Sequence, residues 1–99
     1  MFGGNMMEKL QQMQQQAEET KKRLDLLFVE GEAGGNLICV EMNGNRKLTK
    51  LTINTELANM DKEDLEDLLI VAMNRALEKA NALNEAEMAS SAKGLFPGL

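Results

Sequence analysis

Between Asn5 and Leu27 the chain has no glycine or proline and is rich in Met, Gln, Glu, Lys and Leu, all good helix formers. One long helix is predicted there. Steps of four and three residues alternate through Met6, Leu10, Met13, Ala17, Thr20, Leu24 and Leu27, with only Thr20 polar. That is heptad spacing, the period of helices packed side by side at a shallow angle. Gln11, Gln12, Gln15, Gln16, Glu19 and Lys22 lie off the seam. A Met-rich stripe of this kind reads first as a packing surface, because the thioether side chain is flexible and fills irregular gaps.

The pattern then changes. Phe28 to Ala33 alternates and stops at Gly34-Gly35, a dipeptide suited to the positive φ values of a two-residue hairpin turn. Leu37 to Met42 is β-rich and stops at Asn43-Gly44, the strongest short hairpin signal, and Arg46 to Asn54 makes a third strand. Alternation puts Ile38, Val40 and Met42 on one face, matched by Thr49, Leu51 and Ile53 on the next strand. Asp61 is the predicted N-cap of a second long helix, with Glu63 and Asp64 in its first turn, where the positive helix end favours carboxylates. This helix runs to about Ala89, with Leu65, Leu69, Ala72, Ala76, Ala80 and Leu83 on one stripe and Arg75, Glu78, Lys79 and Glu85 outward.

The expected fold is therefore α+β: an α-β-β-β-α unit in which a three-stranded antiparallel meander is flanked by two long helices. A chain of 99 residues has room for one domain. Its core is expected at about 5–90, between mobile tails at 1–4 and 91–99. At ~1.5 Å per residue the helices are ~35 and ~43 Å long, against ~23 Å for a seven-residue strand. Their apolar stripes overhang the sheet, and a second copy is the expected cover, so a homodimer is predicted with Met6, Leu10, Met13, Ala17, Leu24 and Leu27 as seam candidates.

Composition narrows the chemistry. There is no His, Trp or Tyr and one cysteine, Cys39, so neither a metal set, an intrachain disulfide nor an activated thiol is expected. Asp61, Glu63, Asp64, Glu66 and Asp67 cluster at a helix start, which capping explains without catalysis. No catalytic residue, cofactor or small-molecule substrate is expected. No signal peptide or membrane span is visible, and a cytoplasmic protein with no membrane partner follows. The net charge is −5, and eight of the sixteen acids but only four of the eleven bases lie beyond residue 60. An anion-binding surface is expected in the remainder of the chain.

Met-Phe-Gly-Gly-Asn-Met at the start, the Met/Gln-rich first helix, Val29-Glu30-Gly31-Glu32-Ala33-Gly34-Gly35, Glu41-Met42-Asn43-Gly44-Asn45 and Leu65 to Asn74 together resemble the YbaB/EbfC family over essentially the whole chain. The Gly/Pro/Leu tail agrees. This resemblance implies an α-β-β-β-α unit forming a tweezer-like dimer. It also implies double-stranded DNA as partner, a place in the bacterial nucleoid, and effects on DNA conformation, nucleoid organisation and gene expression.

Phosphate neutralisation by Lys and Arg supplies most non-specific DNA affinity, and screening over ~8 to 10 Å lets a local basic surface act on an acidic body. The DNA-binding candidates are Lys21, Lys22 and Arg23 on the first helix and Arg46, Lys47 and Lys50 at the second hairpin. Each has a plainer reading. Glu18 and Glu19 can pair with the helix cations at three- or four-residue spacing, and Lys47 and Lys50 can serve to keep an edge strand soluble. Zinc-finger and helix-turn-helix patterns are absent, which favours backbone and shape recognition over base edges. The alternative class is an acidic protein-interaction adapter with no direct DNA binding, suggested by the net charge and the Leu-Phe-Pro-Gly-Leu end.

Overall fold

The computed structural model describes residues 2–95, with side chains described over residues 5–93. Its elements run α1 (Phe2–Leu24), β1 (Phe28–Ala33), β2 (Ile38–Asn43), β3 (Leu48–Ile53), a 3-10 turn at Leu57–Asn59 and α2 (Lys62–Leu95). The α-β-β-β-α order is the predicted one. Asp61 stands immediately before α2, and its carbonyl accepts the Leu65 N–H at 3.0 Å.

Both helices differ in extent from the prediction. α1 stops at Leu24 rather than Leu27, because its last turn tightens: Leu26 and Leu27 donate to Arg23 and Leu24, three residues back, at 3.0 and 3.3 Å. α2 passes Ala89 and reaches Leu95, so residues 91–95, expected as tail, are helical, as are residues 2–4. The sequence through Lys93 holds no helix breaker, and the Ser91 hydroxyl is buried against the Thr20 hydroxyl of α1. Met1 and residues 96–99 lie outside the described residues.

The sheet has the order β1-β2-β3 and is antiparallel throughout. Ile38 faces Ile53 and Val40 faces Leu51, as alternation predicts. Met42, however, faces Leu48 and not Thr49, because a bulge at Glu41/Met42 shifts the register. Thr49 is diverted to Glu41, donating its hydroxyl to the carbonyl at 3.2 Å and to Oε2 at 2.8 Å.

Neither turn is the two-residue kind. Gly34 and Gly35 do take positive φ (63° and 70°), but the loop extends through Leu37. The carbonyls of Asn36 and Leu37 are claimed by Asn54, from its side-chain amide at 2.6 Å and its backbone N–H at 2.7 Å. In the second turn the positive φ belongs to Arg46, at 67°, not to Gly44. Gly44 serves close approach: a Cβ there would stand 2.5 Å from Leu24 Cδ2 and 3.0 Å from the Leu24 carbonyl oxygen.

α2 lies across β1 and β2. Gly31 of β1 makes this possible, since a Cβ on it would be 2.2 Å from the Ala72 oxygen and 2.4 Å from the Ala76 nitrogen. Ala72, Ala76 and Ala80 are fully buried there with Ala33, Ile38 and Val40, and Met42, Val29, Leu37, Ile53, Leu65, Leu68 and Leu69 complete the core. Only the Ile53 end of β3 packs against this core, and Leu48 and Leu51 are left 42% and 47% exposed. The chain is elongated, 70 × 20 × 18 Å, because α2 alone spans about 51 Å at ~1.5 Å per residue.

The heptad seam of α1 divides in two. Thr20 and Leu24 are fully buried against α2 and the hairpin, so they pack within this chain, and Leu27 is half-buried. Met6 (64%), Leu10 (56%), Met13 and Ala17 are exposed. Thr20 lies opposite Ser91 and Arg23 opposite Glu87, so the helices run antiparallel and Leu95 falls near Gln16. The earlier turns of α1 project beyond it.

Candidate nucleic-acid interface

Three elements meet at the β2–β3 hairpin. Asn43 Oδ1 accepts the backbone N–H groups of Asn45 at 2.9 Å and Lys47 at 3.1 Å, while its Nδ2 donates to Asp25 Oδ1 at 3.4 Å. Asn45 Nδ2 donates to the Lys21 carbonyl at 2.8 Å and to Asp25 Oδ1 at 2.6 Å. The Gly44 N–H is shared between the Leu24 and Leu27 carbonyls, both at 2.9 Å, and the Gly44 carbonyl accepts from Asn84 Nδ2 at 2.9 Å. Arg46 Nε donates to Asn81 Oδ1 on α2. The hairpin tip is thereby fastened to the last turn of α1 on one side and to α2 on the other.

This fastening sets side by side two elements whose cations the sequence separates by more than twenty positions. Lys21 and Lys22 sit in the last turn of α1, where the negative helix end favours positive charge. Arg46 and Lys47 flank the Asn45 amide that grips the Lys21 carbonyl. All four are exposed, and among the described residues the three lysines have no side-chain partner. The intrahelical pairs with Glu18 and Glu19 are not formed.

Arg23 and Lys50 stand apart from that group. Arg23 Nε is paired with Glu87 Oε2 on α2 at 2.9 Å, and both side chains remain partly exposed. Lys50 faces Glu41 across the strands in a shallow depression that also includes Glu30. Its surroundings are acidic. The positioning residues Asp25, Asn43, Asn45, Asn81 and Asn84 are absent from the sequence-based candidates, and the one visible signal was the density of Asn around Gly44 and at 81 and 84.

The model of the YbaB/EbfC DNA-binding family matches residues 2–95. The chain belongs to this family. A nucleoid-associated protein of Flavobacterium johnsoniae is 38% identical over 94 residues, covering 95% of this chain and 88% of the relative. One of Chloroflexus aurantiacus is 43% identical over 95 residues, covering 92% and 95%. Among solved structures, an uncharacterised Helicobacter pylori protein superimposes with a TM-score of 0.74 at 23% identity, over 92% of this chain and 91% of that one, a likeness of fold.

One concave surface of this YbaB/EbfC chain is of opposite character to the basic end. An open groove of about 520 Å³ lies beside Gly34, Leu37 and Leu68 and is walled by Asp61, Asp64 and Asp67, which repel phosphate. Among the described residues no group of three or more Asp, Glu, Cys or His side chains could hold a metal ion, and no helix is long and apolar enough to cross a membrane.

Proposed function

We propose that this chain binds double-stranded DNA as a homodimer in the bacterial nucleoid, alters the conformation of the duplex, and so influences nucleoid organisation and gene expression. The observation that carries the reading is that the elements bearing Lys21 and Lys22 and bearing Arg46 and Lys47 are joined where α1, the β2–β3 hairpin and α2 meet. Such a group neutralises phosphates locally, while the acids of the α2 N-terminal end lie outside the screening distance of ~8 to 10 Å. The family and its nucleoid-associated relatives support the same ligand.

Pairing of two chains is supported by the apolar surface a single chain leaves open. Leu48 and Leu51 lie on the helix-covered face of the sheet, yet α2 does not reach them. Met73 and Leu77 are exposed on the flank of α2 opposite Arg75, whose Nη1 donates to the Glu32 carbonyl on the β1 side. Two copies joined across the β3 side bury these residues and double the number of cations on one duplex.

Retention of a duplex in a gel-shift salt series tests the proposal. Log affinity should fall linearly with log salt, each neutralised phosphate adding about 0.9 to the slope. Failure to retain any duplex at micromolar protein and ~50 mM salt would sink the DNA reading. Sedimentation should give twice the 11.0 kDa chain mass, and a monomer at the concentrations that bind DNA would sink the dimer.

A further inference from the structure

Among the described residues Arg46 alone combines a side chain with a positive φ. Its N–H donates to the Asn43 carbonyl at 3.0 Å, and the Asn43 N–H donates to the Lys47 carbonyl at 2.9 Å. The hairpin is thus a turn over Asn43–Arg46 closed by one left-handed residue, a position that sterics reserve for glycine because a Cβ crowds the backbone there. Nothing in the turn itself requires arginine. Its hydrogen bonds come from the backbone and from the side chains of Asn43 and Asn45.

What arginine adds is its guanidinium, and α2 holds that group in one orientation. Nε donates to Asn81 Oδ1, whereas Nη1 and Nη2 have no partner among the described residues. A guanidinium anchored at Nε still presents its two terminal nitrogens as a planar edge, the geometry that meets two oxygens of one phosphate. The edge belongs to an exposed side chain beside Lys47 and the Asn45 amide that grips the Lys21 carbonyl, in the same group of cations.

We propose that Asn81 is a positioning residue that holds Arg46 so that its Nη1 and Nη2 engage a backbone phosphate of the duplex, and that the left-handed arginine is kept for this role. The proposal rests on the DNA-binding reading above. It assigns Arg46 a directional interaction, where Lys21, Lys22 and Lys47 act as point charges.

The test uses the full chain with Arg46→Gly, Arg46→Lys and Asn81→Ala, each titrated onto two duplexes of unrelated sequence over a salt series, with thermal unfolding alongside. Arg46→Gly should keep or raise the Tm, because glycine accepts the backbone without strain. It should weaken binding about tenfold and lower the salt slope by about 0.9 per chain on the duplex. Arg46→Lys and Asn81→Ala keep the charge, so the slope should stay while affinity falls about three- to fivefold, equally on both duplexes.

Wild-type affinity in Arg46→Gly overturns the phosphate interaction, and wild-type affinity in Asn81→Ala overturns the positioning role. A loss confined to one duplex overturns it in favour of base-edge recognition. Should Asn81→Ala unfold, Arg46→Lys still decides, since undiminished binding by it shows that the planar edge is not used. A wild-type chain that retains neither duplex overturns the DNA reading itself, a result distinct from all of these.

Discussion

Lys21 and Lys22 are the residues on which DNA affinity should depend most simply, because each lies in the last turn of α1 and has no side-chain partner among the described residues. Reversing both, Lys21→Glu with Lys22→Glu, should weaken duplex binding by at least tenfold and cut the salt slope by about 0.9 for each phosphate that is no longer neutralised. Lys50→Glu should leave affinity within about twofold, since Lys50 sits among Glu30 and Glu41. Equal losses in the two variants, compared in one titration, would contradict the placement. Arg23 belongs to neither class. Its pair with Glu87 is half-exposed, so Arg23→Ala should cost well under ~1 kcal/mol of stability. From the sequence, Arg23 is indistinguishable from Lys21 and Lys22, because its partner is sixty-four positions away. Contiguous cations on a helix point in different directions, and only tertiary structure separates them.

Elements were legible where their signals were local. The alternation in β1 and β2 and the alanine stripe on α2 appear as predicted, since periodicity reports which face is covered, whereas of the α1 seam only Thr20 and Leu24 are fully buried within the chain. Turn geometry and strand register were not legible, because both answer to distant partners: Asn54 lengthens the first turn, α1 recruits Gly44, and the bulge at Glu41/Met42 replaces Thr49 by Leu48. Gly31 shows the same dependence. As a residue within a strand it reads as a weakness, yet it is the point at which the α2 backbone touches the sheet. Gly31→Ala should therefore destabilise by about 2 kcal/mol or more, lowering the Tm by roughly 10 °C. Gly35→Ala should cost only about 1 kcal/mol, because its Cβ would meet nothing within 4 Å and only the left-handed backbone objects. Thermal denaturation of both variants checks this order, and the reverse order would mean that α2 does not sit on β1 as described.

For the molecule as a whole, length and shape set the terms. A 70 Å rod of 11.0 kDa cannot bury both helices in itself. The overhang was legible from helix and strand lengths. The open β3 side was not, since nothing local says which strands α2 will cover. Leu51→Glu with Met73→Glu places charge on surface already open in one chain, so the fold should persist by circular dichroism while the pair dissociates. DNA affinity should then fall by about 10²-fold or more, as the two halves no longer share one duplex. Sedimentation and gel shift on the same sample read both effects, and a variant that stays paired would remove the β3 side from the interface.

The buried hydroxyls of Thr20 and Ser91 have a mechanical consequence. Nearer the hairpin the two helices are also joined by the Arg23–Glu87 pair, and among the described residues α1 runs on past the end of α2 beyond about Gln16. Sliding one helix along the other by a turn separates the two buried hydroxyls from each other, so the pair acts as a detent that resists axial slip but permits bending further out. The free part of α1 is then a cantilever clamped at Thr20, and a load applied at Met6 is delivered as torque to the joint that carries Lys21 and Lys22.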